Sequence, residues 1–504
     1  MIGATYSMGH YALYQETKDK NLFEEIVDQM IIDQVPGMND AFREKISLLD
    51  RDKKRMAILS LLDKDRNLFL KIKALINKDI NKMYHIKDVV SMLREYVKVG
   101  EVERKKYGEV MTPLELVKEM LATLPKEVWS NPYLKWLDPA NGTGPYPIMV
   151  IYKLMIGLKG WEPDDEKRYK HIVENMIYVS ELQPKNMFLY MCVTDPFDTY
   201  KLNIYTGSFL KEDFDYHMKN VWGIEKFDII IGNPPYQWKR ENETRSHSLW
   251  DLFIEKSLSI LENDGYLSMV HPGSWRNYSG KFENIKIKFL SRDILYLNIN
   301  DYNKGNEVFG VSTDFDFYLI KNCFNNISTK IIDADNLEYN IKLSNVEFIP
   351  NKNIKILLDI TSGDDKLPTI IDSSYHTQRD FISREKNEEF KYPIIYTVKS
   401  NGEPQIWYSK VNDRGHFGMP KIVFSNGAGS GIFIDESGEY GLSQFSYGIV
   451  ENDLDKLKSI KNIMINDKFV NLLGYGSGSK YNKNILRIFN KDSWNKIKII
   501  LNNK

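Results

Sequence analysis

The sequence predicts an α/β protein built on a mainly parallel sheet, with a helical region before it and a β-containing region after it. Three observations carry that prediction. Between residues 106 and 330, short apolar runs alternate with amphipathic stretches, which is the pattern of strand–helix units in a parallel sheet. Before residue 105 the apolar residues recur at helical spacing. Beyond 330 the pattern breaks into short pieces separated by Gly- and Asn-rich turns. The expected domains are therefore 1–105, 106–330 and 331–504.

In the first of these, "NLFEEIVDQMIIDQV" places Leu22, Phe23, Ile26, Val27, Met30 and Ile31 on one helix face. Further helices are expected over 53–80 and 84–99. A small bundle packed against the middle region is the plain reading; a DNA clamp or a docking surface for a partner are the functional ones. The middle region reads as "LKWLD" then "YPIMVIYKLMIGL", "MIYVSEL" then "PKNMFLYMCV", "LNIYT", "FDIIIG" then "SLWDLFIEKSLSIL", and "YLSMVHP". In such sheets ligands bind outside the carboxyl ends of the strands, so the residues just after each apolar run are the ones to examine. The last region holds "KIVFSNGAGSGIFIDESGEYGLSQFSYGIV" and ends in a basic stretch: Lys480, Lys483, Arg487, Lys491, Lys496, Lys498 and Lys504 against one acid, Asp492. That stretch is read either as a solvated end or as a phosphate contact.

Composition narrows the function classes. The 504 residues are 42% hydrophobic and 27% charged, with a formal charge of −1, so a polyanion site would have to come from local clusters of Lys and Arg. Two cysteines, Cys192 and Cys323, exclude a Cys-rich zinc site and argue against a disulfide framework. "MIGATYSMGHYALYQ" has neither a basic n-region nor an apolar h-region. No run approaches the roughly 18 apolar residues of a membrane helix. A cytoplasmic protein is expected, with no membrane partner and no metal.

Three loops carry chemistry. In "WLDPANGTGPYP" an apolar run ends at Asp138, and Gly142 and Gly144 precede a helix. Glycine lets the backbone turn sharply and approach a ligand, and the helix offers its amides. Pro147 stands where a dinucleotide fold has its third glycine, which disfavours NAD and FAD. "MIYVSEL" ends in Glu181, a carboxylate placed either to accept the hydroxyls of a ribose or to serve as an ordinary N-cap or surface acid. "KFDIIIGNPPYQWKR" runs a buried strand into Asn233, Pro234, Pro235 and Tyr236. The prolines lack N–H groups and stiffen the turn. The Asn233 side chain and the Pro234 carbonyl offer two acceptors, which suit the two hydrogens of a planar –NH2 group. Tyr236 adds a flat surface for a ring.

With "GEVMTP" at 108–113, "DPANGTG" at 138–144 and "NPPY" at 233–236 in that order, the chain resembles the gamma-class DNA adenine-N6 methyltransferases. It is most similar to the Eco57I/TaqI-type methylases of restriction–modification systems and their phage and viral relatives. The resemblance implies a Rossmann-like S-adenosylmethionine-dependent core and a C-terminal target-recognition domain. For the cofactor it implies Glu109, Thr112 and Pro113 over the methionine part, and Asp138, Pro139, Ala140, Gly142 and Gly144 around the amino-acid and ribose parts. Glu181 would meet the ribose, with Ser208 and Phe209 at the next loop and Asn233 shared with catalysis. Asn233, Pro234, Pro235 and Tyr236 match the catalytic motif, and Phe309 in "NEVFGVST" resembles the aromatic on the other face of the flipped base; its plain reading is a core Phe. Two departures stand out. Asn141 and Pro145 replace residues common in the cofactor loop, the proline removing one N–H donor. Ser208 stands where the pattern usually has an Asp facing the cofactor's adenine.

The implied reaction moves a methyl group from S-adenosyl-L-methionine to N6 of a flipped adenine in double-stranded DNA, as the modification enzyme of a restriction–modification system or as an orphan or phage methylase. A cognate nuclease would be encoded separately, and the setting would be a bacterial, phage or viral host cytoplasm. In "QWKRENETRSHS", Lys239, Arg240, Arg245 and His247 either touch the DNA backbone or form a solvated loop. The competing readings are a protein-glutamine or RNA amino-methyltransferase, and a DNA-binding module that has lost catalysis. A fused nuclease is disfavoured because "DAFREKISLL" has Asp40 and Glu44 but no E-x-K.

Overall fold

The runs WLD, IYVSE, NIYT and FDIIIG form neighbouring parallel strands: β1 (Trp136–Asp138), β2 (Ile177–Glu181), β3 (Asn203–Thr206) and β4 (Phe227–Gly232). The computed structural model describes residues 53, 57, 112–195, 200–238, 246–277, 280–344, 346–361, 363, 365–425, 429–473, 481 and 483–502. Apart from Lys53 and Ala57, both helical, the helices expected before residue 105 lie outside the described residues, as do Glu109, Lys239, Arg240 and Arg245. Among the described residues, no helix is long and apolar enough to cross a membrane.

After β4 come a two-stranded ribbon, β5 (Gln237–Trp238) with β6 (His247–Ser248), and then β7 (Leu261–His271), β8 (Asp293–Asn300), β9 (Phe315–Lys321), β10 (Thr329–Ile332) and β11 (Glu338–Ile341). The large sheet has nine strands in the order β11-β10-β8-β9-β7-β4-β1-β2-β3. β3, β2, β1, β4 and β7 run parallel, and β9 is antiparallel between β7 and β8. The fold is therefore the mixed, mainly parallel α/β sheet that the alternating runs predict. After β3 the chain returns to the other side of β1, so the strand order reverses between β1 and β4. That reversal opens the crevice in which such sheets hold ligands.

Residues of β1, β2 and most of β4 are buried without alternation, because helices cover both faces. Neighbouring residues point to opposite sides. Trp136, Val179, Ile229 and Ile231 join one core with helices α1 (Leu114–Ala122), α2 (Pro145–Gly157), α3 (Asp165–His171) and α4 (Pro184–Thr194). Leu137, Tyr178 and Ile230 join the other with α5 (Glu212–Asn220), α6 (Trp250–Ser259) and α7 (Glu283–Leu290). Helix α8 (Tyr302–Phe309) returns to the first core through Phe309.

Two four-stranded sheets come next in the chain. One is ordered β12 (Thr369–Ile370), β19 (Ser446–Val450), β16 (Lys421–Ser425), β17 (Ile432–Asp435); the other is β13 (Ile382–Ser383), β15 (Pro404–Ser409), β14 (Tyr392–Val398), β18 (Gly441–Leu442). Helices α9 (Ile354–Thr361), α10 (Leu454–Met464), α11 (Asp467–Leu472), α12 (Lys483–Leu486) and α13 (Ser493–Asn502) accompany them, and their apolar residues form a core of their own around Phe424, Leu457 and Phe469. β10 and β11 belong to the large sheet, so the boundary expected at 330 falls inside that sheet.

Candidate active site at the carboxyl end of the sheet

β1 delivers Asp138 into the crevice. Its Oδ1 accepts from the Ala140 amide at 3.1 Å, which starts the turn, and Oδ2 has no hydrogen-bond partner among the described residues. The turn closes with Gly144 N donating to Asn141 O at 2.9 Å. Gly142 and Gly144 have φ of +55° and +95°, and a β-carbon on Gly144 would stand 2.5 Å from the Tyr190 ring. Glycine is the residue these positions accept, and Pro145 then opens α2.

Glu181, at the tip of β2, is buried and ties two loops together. Its Oε2 accepts from Gly142 N at 2.7 Å and its Oε1 from Gln183 N at 2.8 Å. Its backbone carbonyl accepts from Gly207 N at 2.8 Å, which brings Ser208 beside it. Burial, with the Ala140 amide opposing it and the charge of Glu181 adding to it, pushes the Asp138 carboxyl up to about 8. Phe209 is placed differently from the cofactor-facing position expected of it. Its ring lies in the core, 4.8 Å from Phe214 and 5.2 Å from Phe253.

β4 brings the Asn-Pro-Pro-Tyr turn to the same edge. A β-carbon on Gly232 would stand 2.8 Å from Asp138 Oδ1, so the glycine before Asn233 lets the two loops touch. Asn233 Nδ2 donates to Thr112 Oγ1 at 3.0 Å, and Pro113 is the N-cap of α1. Pro139 and Pro234 are buried and Ala140 and Pro235 partly so. The Tyr236 and Phe309 rings meet edge to face, 6.5 Å apart at 86°, and Phe309 is backed by Phe315 at 4.9 Å. Thus Thr112, Asp138, Glu181, Asn233, Tyr236 and Phe309, far apart in the sequence, share one edge of the sheet.

Behind Tyr236 stands a group that sequence reasoning missed. Arg276 Nε donates to Asp316 Oδ2 at 2.6 Å and the Trp275 indole donates to the same oxygen at 2.9 Å. Arg276 Nη1 donates to Ile349 O at 2.8 Å. Burial raises the Asp316 carboxyl to about 6 against the pull of Arg276, and burial together with Asp314 and Asp316 pushes the Tyr236 phenol up. The one signal in the sequence was position: "HPGSWR" and "STDFD" both sit at strand ends. His247 lies in the exposed ribbon beside Trp238, ring centroids 5.5 Å apart. Of the C-terminal cations, Lys483 donates to the Tyr447 hydroxyl, Lys491 pairs with Asp365, and Lys496 with Asp359 and Asp492. Lys480 and Lys504 lie outside the described residues.

The family model described as Eco57I restriction-modification methylase matches residues 159–309, ending at Phe309. The match covers less than half of the chain. A protein of Mycoplasma pneumoniae named "Uncharacterized adenine-specific methylase" is 26% identical over 283 residues, covering 43% of this chain and 63% of that protein. The chain spans less than two thirds of the length of the curated relatives it matches. Among solved structures, the type IIL restriction-modification enzyme MmeI in complex with DNA is similar over 94% of this chain and 81% of its own, at 12% identity and a TM-score of 0.44. The type I restriction enzyme EcoKI M protein is similar over 65% and 71%, at 14% identity and a TM-score of 0.34.

Proposed function

We propose that this chain is an Eco57I-type site-specific DNA methyltransferase that transfers a methyl group from S-adenosyl-L-methionine to N6 of adenine in double-stranded DNA. The observation that carries the proposal is the contact of the two loops: the Asp138 carboxylate lies against Gly232, one residue before Asn233.

The crevice fits the cofactor in kind. Asp138 Oδ2 is buried with no partner among the described residues, and a cationic ammonium group placed beside it would favour the ionised carboxylate. Glycine backbone at 142 and 144 leaves room, and Glu181 and Ser208 stand at the tips of the next strands. Pro113, Pro139 and Ala140 would border the same ligand, and Glu109 completes the expected set. The cofactor supplies a methyl group already activated on a cationic sulfur.

This chain's own residues prepare the acceptor. The N6 lone pair of adenine is delocalised into the ring, so the amine is a poor nucleophile. Asn233 Oδ1 and the Pro234 carbonyl accept its two hydrogens, favour a tetrahedral nitrogen and localise the pair. Pro235 keeps the turn stiff. A base inside a duplex cannot reach this buried edge, so it is flipped out and held between Tyr236 and Phe309. Residues 331–504 are assigned to target recognition, and Lys239 and Arg240 to the DNA backbone. The enzyme works in the cytoplasm, either beside a separately encoded nuclease or alone.

The test is to sequence genomic DNA from cells expressing the protein for N6-methyladenine, beside an Asn233→Ala control. Modified adenine in one sequence context, absent from the control, is expected. Unmodified DNA from the wild type, or equal signal from both, overturns the proposal. Methylated protein or RNA with unmodified DNA would move the chain to the amino-methyltransferases of those substrates.

A further inference from the structure

The family resemblance sets Thr112 beside the cofactor, yet its hydroxyl is engaged elsewhere. It is 6% exposed and accepts from Asn233 Nδ2 at 3.0 Å, with the Tyr146 hydroxyl close enough for the Thr112 hydroxyl to act on its phenol. Tyr146, 2% exposed on α2, donates in turn to Met120 Sδ on α1 at 3.2 Å.

The hydrogens along these groups follow one consistent order. A thioether sulfur only accepts, so the Tyr146 hydrogen goes to Met120. The Tyr146 oxygen is then left as an acceptor for the hydrogen of Thr112. Thr112 Oγ1 has no further hydrogen and must accept, so the end of the Asn233 amide that faces it is the –NH2. The amide oxygen is thereby turned the other way. We propose that Thr112 is a positioning residue, which with Tyr146 and Met120 fixes the orientation of the Asn233 amide so that its oxygen, not its nitrogen, faces the reacting amine. The role of that oxygen in methyl transfer rests on the function proposed above; the orientation itself does not.

The orientation matters because a flipped amide would present two hydrogens to an amine that also has two. Donor would face donor, and the acceptor needed to polarise N6 would be lost. A valine at position 112 keeps the shape and deletes the oxygen, whereas serine keeps it. Phenylalanine at position 146 frees the Thr112 hydroxyl to turn and donate, which lets the amide flip without touching Thr112.

The experiment uses the full-length protein labelled with 15N-asparagine. The Asn233 side-chain amide signal is identified by its loss in Asn233→Ala. Hydrogen exchange at that amide should quicken roughly tenfold in Thr112→Val, since a buried hydrogen bond is lost. Thr112→Ser should restore it, and Tyr146→Phe should fall between. In parallel, single-turnover methyl transfer should slow on the order of 10–100-fold in Thr112→Val, with cofactor affinity by calorimetry within about twofold of wild type. An amide signal and exchange rate unchanged in both Thr112→Val and Tyr146→Phe overturn the assignment. So does a loss of cofactor affinity as large as the loss of rate, which would return Thr112 to the cofactor pocket. If the wild type methylates no DNA, the functional reading fails while the Asn233 amide still decides its positioning.

Discussion

The carboxylate of Asp138 occupies the space a side chain on Gly232 would need: a β-carbon there would stand 2.8 Å from Oδ1. That oxygen cannot drift away freely, because it anchors the Ala140 amide. One contact thus couples the loop after β1 to the loop after β4. Gly232→Ala should leave the protein folded, because the glycine has an ordinary φ, and yet separate the loops. Calorimetry should show S-adenosylmethionine affinity down by about tenfold or more, with methyl transfer falling further. Unchanged affinity would mean that the loops do not form one site.

The pH dependence of Asp138 gives a second prediction. Its carboxyl titrates at about 8 in the folded protein, against an ordinary value of 3.8, so the folded state holds its proton more tightly than the unfolded chain. The contribution of that proton to stability is full below about pH 4 and is lost as pH rises through about 8. Asp138→Asn keeps the oxygen that receives Ala140 and removes the titration. Without cofactor, urea unfolding at about pH 5 to 9 should show wild type losing stability relative to Asp138→Asn by an amount on the order of a few kcal/mol. His217 and His271, held neutral by burial and lowered to about 4 and about 3, act the opposite way but equally in both proteins. A constant difference between the two across this range would sink the assignment.

Phe309 owes its place to a glycine. Gly305 of α8 packs directly on the backbone carbonyl of Thr313, leaving no room for a β-carbon, and so docks the helix that ends in Phe309. Gly305→Ala should displace that helix and, with it, the ring facing Tyr236. Once the target sequence is known, 2-aminopurine placed at the target adenine should show its flipped-state fluorescence reduced about tenfold or more in the variant. Cofactor affinity should stay at the wild-type value. Equal fluorescence from both proteins would place the base elsewhere.

These contacts mark the limit of what is legible in the sequence. Loops after apolar runs are readable because a strand end, a glycine pair and an Asn-Pro-Pro-Tyr turn are local features. The parallel sheet is readable for the same reason. The bond from Asn233 to Thr112 crosses 121 positions, and the Arg276–Asp316 pair crosses 40; no periodicity encodes such partners. In the sequence Gly232 is one more strand-end glycine, and only the fold sets Asp138 against it. Phe209 sits in a loop pattern that points it at the cofactor, but the Phe214 and Phe253 rings belong to a core that takes it in. The strands at 329–341 alternate weakly in sequence, so their membership of the large sheet depends on β8, beside which β10 pairs.

The C-terminal region offers the last prediction. Lys421 and Asp435, at 0% and 1% side-chain exposure, pair at 2.7 Å, and Lys421 also donates to the His416 and Met419 carbonyls. Removing one partner leaves a buried charge uncompensated, which costs about 3–5 kcal/mol, whereas an apolar pair of similar volume is often near neutral. The surrounding core around Phe424 and Leu457 is separate from the two cores of the large sheet. Lys421→Ala should therefore lower one thermal transition of the full-length protein and leave a second, raised by S-adenosylmethionine, where it was. DNA binding should fall and cofactor affinity should not. The double change Lys421→Met with Asp435→Leu should recover most of the lost stability. A single transition shifted as a whole, or a cofactor affinity that falls with it, would show that the C-terminal sheets and the large sheet unfold as one unit.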